Sequence, residues 1–362
     1  GLTDVELAEH GIVTATLAGT PGAPVIGLVA HVDTSPEAPG GGVAPIVHAA
    51  WDGGPIVLPG DPTQVLDPAV HPELAARLGH DIVTSDGTTL LGADDKAGVA
   101  EIMTALDRLA RDDRPRATVR VGFTVDEETG RGADHFDIEA FGARCAYTFD
   151  GSGAGELETE TFSAYEMVVT FGGIVVHPGT AKGLMVNAVK LAADFVASLP
   201  RDRLSPETTE GREGFVHPRR IDGDGDSVSV WLLVRDHDDR LIDEHVALVR
   251  RLAEQAAARD PRATLEVEVV EQYRNMGGVL EQHPDVVEAA REAIRRIGLE
   301  PVEQPIRGGT DGARLSERGL PTPNVFTGGQ NYHSRTEWAS VQDMAAAAAT
   351  AVELVRIWGE RA

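Results

Sequence analysis

Apolar strands in this chain end on ionisable side chains, and that pattern limits the fold more than any other feature. Residues 25–30 (VIGLVA) form an unbroken apolar run of strand length, and His31-Val32-Asp33 follows at once. Residues 117–125 (ATVRVGFTV) lead into Asp126-Glu127-Glu128, and residues 146–149 (AYTF) lead into Asp150. Between the first two runs, Val99, Ile102, Met103, Leu106 and Leu109 recur at helical spacing over 97–109. Strand, helix and strand in that order predict an α/β fold: a mostly parallel sheet covered by helices on both faces.

The middle of the chain changes period. Residues 164–171, 227–234 and 263–270 alternate apolar and polar positions, the pattern of half-exposed strands. Amphipathic helices are expected at 186–199 and 240–258, on one face of an antiparallel sheet. After Gln272 the α/β pattern returns, with Val286, Val287, Ala290, Ile294 and Ile297 on one helix face, a short strand at Val325-Phe326 and a last helix from Val341. The expected organisation is a discontinuous α/β domain, 1–161 and 273–362, interrupted by an inserted α+β domain over 162–272. The length of 362 residues is compatible with two domains.

Composition narrows the function. Fifty-eight acidic residues against 32 basic ones give a net charge of −26. Nucleic acids and anionic membranes need basic patches, so neither is expected as a partner. No segment approaches the roughly 18 apolar residues of a membrane span. The opening GLTDVELAEHG has neither a basic n-region nor an apolar h-region, so no signal peptide is expected in it. The single cysteine, Cys145, excludes an internal disulfide and fits a reducing, cytoplasmic setting.

Open α/β sheets place their sites at the C-terminal strand ends, where the ionisable residues gather. His31 and Asp33, two apart in an extended segment, face one side, so the carboxylate can orient the imidazole. Each element alone has an ordinary reading. Asp94 in GADDKAG suits a helix N-cap, and Asp126–Glu128 a solvated turn. Asp150 suits a turn, and His333 in GGQNYHS a loop. Together, His31, Asp33, Asp94, Glu127, Glu128, Asp150 and His333 converge on one predicted sheet edge. Five carboxylates there would repel unless cations join them. Two divalent metals supply that charge, and imidazole with carboxylate suits zinc, with cobalt or manganese as substitutes. The sequence Asp222-Gly-Asp-Gly-Asp226 has the start of a calcium loop, but Ser227 and Leu233 occupy the positions that need Gly and Glu, so a hairpin turn is expected.

The strings HVDTSPEAPG, TLLGADDKAGVAEIMTAL, DEETGRGADHFD, FDGSGAGELE, VHPGTAKGLMVNA, IRGGTDGARLS and NVFTGGQNYH resemble, in order and along essentially the whole chain, the di-zinc exopeptidases. That family includes aminoacylases, succinyl-diaminopimelate desuccinylase and tripeptide aminopeptidases of the peptidase T kind. VHPGTAKG and RGGTDGA resemble the last group. The resemblance implies one zinc on His31, Asp94 and Asp150, with Asp94 bridging to a second zinc on Glu128 and His333. It implies Glu127 as general base, Asp33 as the partner of His31, and 162–272 as a lid and dimerisation domain. His177 would stabilise the oxyanion from the other chain of a homodimer. Arg235 and Arg307 would either clamp the peptide carboxylate or form surface ion pairs. A tripeptide substrate is therefore expected; a dipeptidase, a deacylase or desuccinylase on the same metals, and an inactive metal-binding scaffold are the alternatives. The family carries a further N-terminal segment with a helix ahead of GLTDVELAEHG, and without it apolar sheet surface should be exposed. Val125 replaces a family Pro, and Ser334-Arg335 a Gly and a basic residue; neither change touches an expected ligand.

Overall fold

The computed structural model describes residues 1–361. Two compact units divide the chain: residues 1–159, 276–304 and from Thr310 onward form the first, and 160–275 with 305–309 form the second.

The first unit is built on an eight-stranded sheet. Its order is Thr3–Leu7, Val13–Leu17, Thr118–Thr124, Val25–His31, Ala146–Gly151, Asn324–Phe326, Glu156–Glu158 and Val302–Glu303. The four central strands run parallel. They carry the apolar runs read from sequence, and Ile26, Leu28, Val29, Val119, Ala146 and Phe149 are fully buried. Helix Ala93–Ala110 packs on two of these strands and against helix Val341–Glu360, which in turn packs on Pro284–Arg296. Val29 and Ala146 also join Phe136, Phe141 and Leu315 in one apolar cluster. Tyr147 crosses the core as a polar rung: its hydroxyl accepts from Trp358 Nε1 at 2.9 Å and donates to the Val286 carbonyl at 2.9 Å. The edge strand Thr3–Leu7 is exposed throughout, Val5 and Leu7 included.

A smaller antiparallel sheet, unforeseen in sequence, joins Gly329–Gln330, Trp338–Ser340, Ile82–Thr84 and Ile46–His48. Trp51, Leu58, Leu66, Leu74, Ile82 and Trp338 bury a core beside it. Its first two strands flank the 331–337 loop.

The second unit is a four-stranded antiparallel sheet, ordered Phe215–Gly223, Ser227–Asp236, Ser163–Gly172, Thr264–Tyr273. Helices Ala188–Ser198 and Asp239–Ala257 cover it through Phe171, Leu191, Phe195, Val230, Leu232, Ile242 and Val249. The strand Phe215–Gly223 did not stand out in sequence because Pro218 and its polar neighbours hide it; prolines in sheets are confined to such edges. Asp224, Gly225 and Asp226 form the hairpin turn, as expected. Pro305–Gly309 joins this unit, with Ile306 N–H donating to the Glu160 carbonyl at 2.9 Å. Among the described residues no helix is long and apolar enough to cross a membrane.

Candidate metal centre

Strand register assembles the centre. His31 is the last residue of its strand and pairs with Thr124 on one side. On the other side Val29 pairs with Thr148, which brings Asp150 level with His31. Past Thr124 the chain turns through Asp126 in left-handed conformation (φ 65°) into the short 3-10 turn Glu127–Thr129. Asp94 is the second residue of helix Ala93–Ala110, and its φ/ψ of −82°/101° depart from helical values. His333 stands in the 331–337 loop with φ 59°. Non-glycine residues in such conformations cluster at functional sites.

These side chains meet within the first unit. His31 Nε2 lies 2.8 Å from Asp94 Oδ1, 3.5 Å from Asp150 Oδ1 and 4.0 Å from Glu127 Oε2. His333 Nε2 lies 3.2 Å from Asp94 Oδ2 and 2.9 Å from Glu128 Oε2. Asp33 Oδ1 is 3.3 Å from His31 Nδ1, and its two oxygens accept the Glu127 and Glu128 backbone N–H groups, each at 3.2 Å. All seven residues expected at the sheet edge are therefore brought together.

Four more acids belong to the arrangement and were not singled out in the sequence. Glu37 Oε2 is 3.3 Å from His333 Nδ1, as Asp33 is from His31. Asp95 is fully buried and accepts the His31 N–H at 3.1 Å and the Gly98 N–H at 3.2 Å. Asp311 accepts from the Thr124 hydroxyl behind the Glu127 turn. Glu337 accepts three backbone N–H groups from the Leu91–Asp94 loop. Asp95, Asp311 and Glu37 lie inside GADDKAG, RGGTDGA and HVDTSPEAPG, so those motifs were the available signal; Glu337 had none beyond proximity to His333.

The electrostatics show a shortage of positive charge. Burial, then Asp94, pushes Asp150 up to about 7. Burial, then Asp150, pushes Glu127 and Asp95 well above the carboxylate range. For Asp94 burial acts the same way, but hydrogen bonds to His31 and His333 outweigh it and hold the group well below that range. His333 is raised to about 11 by Asp94 and Glu128. Burial opposes the His31 imidazolium, yet Asp150, Asp33 and Asp94 raise it well above its ordinary value. Glu128 Oε1 is buried without a hydrogen-bond partner. Ligand atoms of His31, Asp94 and Glu128, and likewise of His31, Asp95 and Asp150, lie within 4.8 Å of one another. An orphaned carboxylate oxygen, crowded acids and two imidazoles fit divalent cations with mixed nitrogen and oxygen ligands.

His177, Arg235 and Arg307 belong to the second unit. His177 is exposed, and its Nδ1 accepts the Gly179 N–H at 3.1 Å. Neither arginine forms a salt bridge among the described residues. Arg235 Nη1 donates to the Tyr273 hydroxyl at 2.6 Å. Arg307 donates to the carbonyls of Gly211 (2.9 Å), Glu213 (2.7 Å) and Thr209 (3.3 Å) and to Thr209 Oγ1 (3.0 Å), and it lies over Phe162. In this structure the Arg307 guanidinium fastens the 209–213 loop.

A parallel α/β sheet with imidazoles and carboxylates converging at its strand ends gives the chain the frame of a metal-binding α/β protein. The chain belongs to Peptidase family M20/M25/M40, whose sequence model matches residues 84–357. It is 46% identical over 365 residues, covering 100% of this chain and 89% of the other, to Peptidase T of Bacillus licheniformis. The fold is similar to that of aminopeptidase PepT from Bacillus cereus, with TM-score 0.77 and 26% identity over 98% of this chain and 88% of that one. It is also similar to a tripeptidase from Staphylococcus aureus, with TM-score 0.81 and 24% identity over 99% and 89%.

Proposed function

We propose that the chain is a zinc aminopeptidase that releases the N-terminal residue of tripeptides. The observation carrying this reading is the division of labour among the carboxylates: Asp94 faces both imidazoles, while Glu127, at 4.0 Å, stands farther from His31 Nε2 than Asp94 or Asp150. That is the arrangement expected of ligands with a separate base. His31, Asp94 and Asp150 would hold one ion, and Asp94, Glu128 and His333 the other. Bound there, two divalent ions supply Lewis acidity that polarises a peptide carbonyl and acidifies water.

Glu127 takes the proton of the attacking water and delivers it to the leaving amine. Asp33 fixes the Glu127 and Glu128 backbones and orients His31. With Nδ1 of His177 accepting from Gly179, Nε2 carries the proton and is the donor offered to the oxyanion. The second unit would carry the homodimer contact. Likeness to Peptidase T and to aminopeptidase PepT supports the substrate class.

The test is amine release by stripped and zinc-reloaded protein from Ala-Ala-Ala, N-acetyl-Ala-Ala-Ala and N-acetyl-alanine. Only the free tripeptide should be cleaved. Faster hydrolysis of N-acetyl-alanine would establish a deacylase instead.

A further inference from the structure

Helix Ala93–Ala110 begins at Gly92, a left-handed residue (φ 77°) with no side chain to cap the first turn. The N–H groups of an opening turn have no partner within the helix. Here the loop that enters the helix is held from far along the chain. Glu337 Oε2 accepts from Leu91 and Gly92, each at 2.7 Å, and Oε1 accepts from Asp94 at 2.9 Å. Glu337 is 1% exposed.

The same residue closes the loop that carries His333. Glu337 N–H donates to the Ser334 carbonyl at 3.3 Å, and Ser334 Oγ donates to the Asn331 carbonyl at 2.7 Å. His333 thus sits in a turn bounded by Glu337, and Asp94 in a turn held by the Glu337 carboxylate. One side chain joins the two segments whose functional atoms, Asp94 Oδ2 and His333 Nε2, stand 3.2 Å apart.

We propose that Glu337 is a positioning residue: its carboxylate sets the separation of Asp94 and His333, and with it the affinity of the metal position they share with Glu128. This rests on the two-metal reading above and adds a residue that binds neither metal nor substrate. Three donors converge on two oxygens, an arrangement only a carboxylate satisfies. In Glu337→Gln the amide NH2 must face at least one backbone N–H, so the Asp94 loop is released on one side without change of side-chain size. The position on His31, Asp94 and Asp150 keeps its other ligands on strand ends that Glu337 does not touch.

The experiment is a zinc titration against a competing chelator, on wild type and Glu337→Gln. Wild type should show two sites. The variant should keep one and bind the second about 10–100-fold more weakly, the range typical when a ligand's supporting contact is removed. At limiting zinc kcat should fall with KM for the tripeptide unchanged, and excess zinc should restore it. A purely structural role would lower the melting temperature of metal-free protein and leave both affinities alone; that result overturns the proposal. If the variant does not fold, amide exchange on metal-free wild type decides. The Leu91, Gly92 and Asp94 amides should stay protected without metal, and exchange at the rate of an open loop refutes the proposal. A wild-type isotherm with no bound zinc would instead sink the metallopeptidase reading itself, which separates the two failures.

Discussion

Asp94 divides its carboxylate between two imidazoles: Oδ1 is 2.8 Å from His31 Nε2 and Oδ2 is 3.2 Å from His333 Nε2. The histidines lie 302 positions apart (333 − 31), one closing a strand and the other on a hairpin loop. Replacing Asp94 should therefore disturb both metal positions, whereas replacing either histidine should disturb one. Atomic emission after dialysis should give close to two ions per chain for wild type, about one for His333→Ala, and fewer than one for Asp94→Ala. Equal stoichiometry in all three would rule out Asp94 as a bridge.

Glu127→Gln should keep the metals and the fold and lose turnover by about 10²–10⁴-fold, the usual worth of a positioned general base. Side-chain size is conserved, and the Glu127 N–H to Asp33 bond involves only backbone on the Glu127 side, so KM should change little. A kcat within a few-fold of wild type would show that another group moves the proton.

Glu101 gives a pH test away from the ligands. It lies on helix Ala93–Ala110, is 2% exposed, and neither carboxylate oxygen has a hydrogen-bond partner. Burial pushes it well above the usual carboxylate range. The unfolded chain titrates this group near 4.3, so folding keeps a proton that the unfolded state gives up above about that pH. Its contribution to stability is full below the unfolded value and is lost as pH rises through the folded one. Glu101→Gln removes that dependence. The variant should match wild type near pH 4.5 and gain on it between pH 5 and 8, by up to about 1.4 kcal/mol per unit until the folded value is passed. Urea midpoints at the two ends of that range measure the gap; a gap that does not widen would mean the ionised carboxyl finds a partner.

Gly98 reverses a propensity rule. Alanine in a helix interior normally stabilises by roughly 0.5–1 kcal/mol over glycine. A Cβ on Gly98, however, would lie 2.0 Å from the Phe149 carbonyl oxygen and 2.6 Å from Asp95 Oδ1. The first contact is backbone of the strand that carries Asp150, so relief requires the helix to move off the sheet. Gly98→Ala should therefore lower the melting temperature and weaken metal binding together. A variant as stable as wild type would show that the helix and strand separate easily.

Much of this site was legible because it is local in sequence. A strand with its terminal ionisable residue spans only a few positions, so HVD, DEE and the Asp150 segment could be read directly, and parallel strand ends fall at one edge of a sheet. What stayed hidden depends on distant segments. Glu337 matters because it reaches a loop some 245 residues earlier, and no periodicity encodes that. Glu37 is an exposed loop acid whose contact with His333 joins segments almost 300 residues apart. Short strands such as Ile46–His48 and Gly329–Gln330 hold too few residues for alternation to register. Arg307 was open to a clamp on the peptide carboxylate or a surface ion pair, because a guanidinium serves any carboxylate; in the structure it donates instead to carbonyls of the 209–213 loop.

The role proposed for His177 can be tested by mixing chains. If it serves the site of the partner in a C2 homodimer, Glu127→Gln and His177→Ala should each be nearly inactive alone. In a mixed dimer one site then combines an intact Glu127 from one chain with an intact His177 from the other. Random exchange makes about half the dimers mixed, each with one of two sites whole, so roughly a quarter of wild-type activity should return. Exchange must be established first with mass-tagged chains after brief mild denaturation. His177 is exposed and its imidazole contacts only its own turn through Gly179, so His177→Ala should leave the melting temperature nearly unchanged and the loss should be one of turnover. Proven mixed dimers without regained activity would mean that His177 acts within its own chain or has no part in the reaction.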